Sequence, residues 1–70
     1  VSVVKVIEVV GSSPDGFKEA VDHALHECCR TVRDVVGLEV INWTCSVADG
    51  KVREYKADCK IAFRVEDGRV

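Results

Sequence analysis

The sequence predicts an α+β fold, a β-α-β-β subunit in which a three-stranded antiparallel sheet packs on one helix. Three observations carry this. From Lys51 to Val65 the residues alternate: Tyr55, Ala57, Cys59, Ile61, Phe63 and Val65 fall on one face, and Glu54, Lys56, Asp58, Lys60 and Arg64 on the other. That is the period of a half-buried strand. Between Phe17 and Val35, apolar residues instead recur at spacings of three and four, the period of an amphipathic helix. Turn-forming residues at Gly11-Ser12-Ser13 and Ala48-Asp49-Gly50 separate these segments from two further β-rich runs.

In chain order, Val3 to Val10 is rich in β-branched residues, broken only by Lys5 and Glu8, and reads as the first strand. Both of its faces are largely apolar. One must meet the helix, which leaves the other for a partner subunit or a shared cavity. Ser13-Pro14-Asp15 then predicts a helix start: a hydroxyl cap, proline at the first helical position and an acid in the first turn. Phe17, Ala20, Val21, Ala24, Leu25, Cys28, Val32 and Val35 form its apolar stripe, and Gly37 stands where a glycine would end it. Leu38 to Val47 reads as the second strand. A three-residue loop at Ala48-Asp49-Gly50 would set Trp43 opposite Tyr55 and Ile41 opposite Ala57, and this register is preferred because it matches apolar with apolar. A two-residue loop would set Trp43 opposite Lys56. The crossover through the helix leaves the first two strands parallel, so placing the long third strand between them makes every neighbouring pair antiparallel.

The whole chain, residues 1–70, is expected to form one domain. At this size only about 60% of the unfolded surface can be buried, which makes a lone subunit marginal. The third strand, fifteen residues at roughly 3.3 Å each, would reach about 45–50 Å, whereas a compact chain this long has a radius of gyration of about 11 Å. Either it bends at a bulge or its ends pack against other copies, and assembly is the favoured expectation. Ten basic and twelve acidic residues are interleaved, which argues against nucleic acid as a partner. No apolar run approaches the roughly 20 residues of a membrane span, so a membrane is not expected as a partner either. With no signal-peptide pattern at its start the chain is expected to be cytoplasmic, with its four cysteines as reduced packing thiols.

Chemistry is sparsely signalled. His23 and His26, with Glu19, Asp22 and Glu27 nearby, could bind zinc, but a solvated helix face accounts for them and no metal site is assigned. Cys28 fits the helix stripe, Cys59 the inward face of the third strand, and Cys45 shares a face with Ile41 and Trp43. No nucleophile stands beside a base, and the turn before the helix lacks the second glycine of a phosphate loop, so no catalytic residue is assigned.

Lys5-Val6-Ile7-Glu8-Val9-Val10-Gly11-Ser12-Ser13-Pro14-Asp15-Gly16-Phe17, then Leu38-Glu39-Val40, Glu54-Tyr55 and Ala62-Phe63-Arg64-Val65-Glu66-Asp67, together resemble a dodecin over nearly the whole chain. The resemblance implies a non-enzymatic binding protein whose β-α-β-β subunits assemble as twelve copies into a hollow shell. It further implies that pairs of flavins, as riboflavin, flavin mononucleotide or lumichrome, stack between tryptophans at two-fold interfaces and are stored or sequestered there. Candidate ligand-contacting residues on this basis are Gly37, Glu39, Asn42, Trp43, Lys56 and Arg64. Two depart from the family pattern: Gly37 stands at the position of the stacking tryptophan, and Lys56 at that of a glutamine that bonds the flavin edge. Trp43, six residues beyond Gly37, shares its parity and hence its expected face, about 20 Å away. The alternative is a dodecin-fold assembly that holds another small ligand or a cation, or serves a structural role.

Overall fold

The computed structural model describes residues 3–65. The Glu66-Asp67 end of the family-like motif lies outside them. Four elements follow in order: β1 (Val3–Ser13), α1 (Phe17–Cys29), β2 (Val35–Ala48) and β3 (Lys51–Val65). The sheet order is β1-β3-β2, and β3 pairs antiparallel with both neighbours. The fold class, the bounds of the long strand and its central place therefore agree with the sequence expectation. The chain measures 55 × 19 × 13 Å with a radius of gyration of 14.6 Å, more extended than a compact domain of this length.

The helix lies on one face of the sheet. Ala20, Ala24 and Cys28 meet Ala57, Cys59 and Ile61 to form the buried core, with Ile7, Val9, Val21, Val32, Val35, Leu38 and Val40 packed around it. Small residues let α1 come close. At Gly11 an added Cβ would stand 2.1 Å from the Ala20 carbonyl oxygen and 2.8 Å from Ala24 Cβ, so only glycine fits where β1 passes under the helix.

Both helix ends differ from expectation. β1 continues through Ser13, because β3 is long enough to pair Ser12 with Lys56 and Ser13 with Tyr55. Ser13 Oγ accepts the Asp15 N–H at 3.0 Å and so closes a turn instead of capping the helix, which starts at Phe17 after Gly16. At the other end, α1 stops at Cys29 and Gly37 lies inside β2. Turn bonds from the Thr31 and Val32 N–H groups to the Cys28 carbonyl, and Asp34 at φ 60°, turn the chain there. Val32 and Val35 still pack on the core, so the apolar period persisted beyond the helix that it seemed to mark.

The hairpin register also differs from both expectations. Asp49 and Gly50 have φ of 54° and 72° and form a two-residue turn, with Ala48 opposite Lys51. An irregularity at Arg53 then advances the pairing, so that Trp43 faces Ala57 and Cys45 faces Tyr55. A second, at Ile41, lies between the Val40–Cys59 and Asn42–Asp58 pairs, and a third lies at Val36. Cys28 and Cys59 are buried as expected, but Cys29 and Cys45 are exposed, and all four are free thiols.

Candidate functional site

The sheet face turned away from α1 carries the candidate site. Partners across an antiparallel ladder point to one side, so the register lays this face out in rows. Arg64 stands opposite Val4. Next come Val6–Ala62–Gly37, Glu8–Lys60–Glu39, Val10–Asp58–Asn42 and Ser12–Lys56–Thr44, each read from β1 across β3 to β2. Within the described residues nothing covers this face: Val4, Val6 and Val10 are 52–64% exposed.

Five of the six candidate residues, Gly37, Glu39, Asn42, Lys56 and Arg64, share this face. They do not converge on one spot, since Lys56 and Arg64 are eight residues apart on β3, about 26 Å. Trp43 is on the opposite face, because the extra residue at Ile41 inverts the alternation that would have aligned it with Gly37. Its indole meets the Phe17 ring edge-on at 5.0 Å between centroids, and Phe17 in turn meets Tyr55 at 4.9 Å. Trp43 thus belongs to an aromatic cluster at the start of the helix.

Gly37 is outside the left-handed region, and an added Cβ would meet only Ala62 Cβ at 3.9 Å, so a side chain fits there. The row Val6–Ala62–Gly37 is apolar and low. It is flanked by Arg64 on one side and by Glu8, Lys60 and Glu39 on the other.

Glu8 and Asp58, on strands distant in sequence, fall in neighbouring rows of this face through the register. Asp58 Oδ1 is enclosed and receives no hydrogen bond. A hydrogen bond with the Asp58 carboxyl, and then its negative charge, raises the Glu8 carboxyl above the ordinary range against the opposing pull of Lys60. Pairing the polar residues of β1 with those of β3 would have exposed this cluster in the sequence.

One cleft borders the helix and another lies beyond its C-terminal end. The first, of about 440 Å³, is lined by Ile7, Val9, His23, Glu27, Cys28 and Val32, and the His23 ring donates from Nδ1 to the Ser12 carbonyl at 2.9 Å. The other, of about 690 Å³, brings Lys5, Arg33 and Arg64 around Asp34 and Phe63. Burial pushes the Cys28 and Cys59 thiols up, which keeps them protonated and unreactive. Among the described residues no three His, Cys, Asp or Glu side chains converge as a metal site, and no helix is long and apolar enough to cross a membrane.

Fold and open face define a class of small two-layer α+β proteins with one sheet face covered by a helix and the other uncovered. Comparison with known proteins makes the class specific. The dodecin family profile matches residues 3–66. The dodecin of Thermus thermophilus is 31% identical over 65 residues, which cover 93% of this chain and 94% of that protein. The Streptomyces coelicolor dodecin structure superposes with a TM-score of 0.92 at 34% identity, over 96% of each chain. A calcium dodecin of Mycobacterium tuberculosis, described as a calcium-chelating antigen, superposes at 0.81 with 26% identity over 97% of each chain. The chain belongs to the dodecin family.

Proposed function

We propose that the protein is a non-enzymatic, cytoplasmic flavin-binding protein that stores or sequesters riboflavin or flavin mononucleotide at the interfaces of a hollow homododecamer. One observation carries the reading. The low apolar row Val6–Ala62–Gly37 offers a planar ring a bed between charged rows, on a face that a second copy can close. In place of the family's indole, ring contact then comes from the bed itself, and Lys56, three rows away on the same face, meets the ring edge from a second copy, where a cation that only donates replaces an edge-bonding amide. Affinity is accordingly lower than with two stacked indoles, each aromatic pair contributing about 0.5–1.5 kcal/mol beyond burial.

Titration of the purified protein with riboflavin and flavin mononucleotide, read by flavin fluorescence with particle mass from light scattering, tests this. Weak quenching by the parent and stronger quenching by the Gly37→Trp, Lys56→Gln double variant are expected. Absence of quenching from both, in an intact particle, rejects flavin as the ligand. The likeness to a calcium dodecin favours a second reading in that case, in which the assembly serves a cation or another small ligand.

A further inference from the structure

The charges along the open face of β3 form a pattern that complements itself when reversed. From the hairpin toward the chain end its residues are Glu54, Lys56, Asp58, Lys60, Ala62 and Arg64, alternating in sign and interrupted only by the low row at Ala62. Among the described residues the ion pairs are Lys18–Asp22, Arg30–Glu27 and Arg53–Asp49, so the charges of this face do not pair with one another. Asp58 keeps one enclosed oxygen without a donor, although Lys60 is its neighbour on the same strand. Beside them Val4, Val6 and Val10 expose apolar area that gains from being covered.

We infer that the open face is an isologous interface on which a second copy of this chain lies face to face with the first, about a two-fold axis that crosses the strands at the level of Cys59. Such an axis lays each strand over its own counterpart in the reverse direction. Asp58 then meets Lys60 of the second copy, Glu54 meets its Arg64, and Lys56 meets the low row at its Ala62, and each contact occurs twice. On β1 Val10 meets Glu8 and Val6 meets Ser12, while on β2 Glu39 meets Asn42 and Gly37 meets Thr44. No like charges are opposed. Stacked sheets stand about 10 Å apart, a gap that lysine and arginine side chains bridge.

Other placements fail, and charge complementarity thereby fixes the register. An axis along the strands sets every β3 charge against itself. At the level of Asp58, a crossing axis opposes Asp58 to Asp58 and Lys56 to Lys60. At Lys60 it opposes Lys60 to Lys60 and Lys56 to Arg64. At Ala57 the signs match, but Val4 and Val6 run past the end of β1 in the second copy and stay uncovered. At Ile61 the signs also match, but Glu54 and Lys56 run past the end of β3. The inference rests on the homo-oligomer of the proposed function and not on flavin as its ligand. It assigns the Lys56 that reaches a ring over Gly37 and Ala62 to the opposing subunit.

Cross-linking in a mixed-isotope particle tests it. Chains carrying light and heavy nitrogen are unfolded and refolded together without flavin, then treated with a water-soluble carbodiimide, which joins a carboxylate to a lysine amine in contact. Peptide masses distinguish bonds between chains from bonds within one. The expected product is an amide between Asp58 and Lys60 of a light and a heavy chain, from a particle that light scattering shows to be multimeric. Coupling of Asp58 to Lys56 between chains instead, or an intact particle without the Asp58–Lys60 product between chains, overturns the inference and leaves assembly standing. A monomer overturns both. Charge reversal provides a second readout. Asp58→Lys or Lys60→Asp alone should lower the particle mass, and refolding the two variants together should restore it, since each cation then meets a carboxylate of the other chain. Full-size particles from either variant alone reject the register. Should one fail to fold alone, the cross-link in the parent protein decides.

Discussion

The two faces of the sheet are made from alternate residues of the same three strands, yet α1 closes one and the other stands open. On the closed face Ala57, Cys59 and Ile61 are fully buried beneath small helix residues. On the open face valines of β1 border ionic rows and remain more than half exposed. The difference teaches that stability and recognition are divided by residue parity: odd positions of β1 and β3 hold the chain together, and even positions are free to meet something else. Neighbouring residues can therefore differ completely in what a substitution does.

The sharpest way to break the comparison uses the adjacent pair Ile7 and Val6. Ile7→Asp places a carboxylate against the core and should cost about 3–5 kcal/mol, enough to abolish the cooperative melt. Val6→Asp should change the stability of the subunit by about 0.5 kcal/mol or less, while light scattering reports loss of any copy seated on the open face. Equal effects would show that the faces are not divided in this way. Gly11→Ala is next in size. Its methyl must lift the helix off β1, at about 1–3 kcal/mol in a denaturant titration. The smallest effect concerns the thiols. Cys29 and Cys45 should label with a thiol reagent in the native protein and Cys28 and Cys59 only after unfolding, with Tm unchanged by dithiothreitol.

Much of this division was legible in the sequence. The long strand Lys51 to Val65 announced itself through strict alternation, and Ala20, Ala24 and Cys28 through helical spacing. What failed was counting across interruptions. Alternation locates a face only while the ladder is unbroken, and the irregularities at Val36, Ile41 and Arg53 leave no residue signature comparable to a turn glycine. Parity counted across them sets Trp43 on the same face as Gly37, which the pairing with Ala57 overturns, while the expected neighbourhood of Tyr55 is kept through Phe17. Gly37 was misread for a related reason: glycine suits a helix end, but here its use is a low surface beside Ala62. Ser13 was ambiguous because a hydroxyl ahead of Pro14 and Asp15 can close a turn as readily as cap a helix. Of the open face, Gly37, Glu39, Asn42, Lys56 and Arg64 are candidates through family resemblance. The Glu8–Asp58 contact needed the pairing of strands that are distant in sequence.

The strand order has a consequence for how the molecule comes into being. β1 and β2 never touch as strands, and the element that joins them is the last of the three to be synthesised. During translation β1 must wait beside a growing helix with both of its hydrogen-bonding edges unsatisfied, until the partner of Val3 arrives at Val65. Such long-range closure belongs to the slow end of small-domain folding, in the range of about milliseconds to seconds. Meanwhile the valine-rich first strand of one nascent chain is open to the same strand of another, and the charges of Lys5 and Glu8 interrupt the longest apolar run that it could offer.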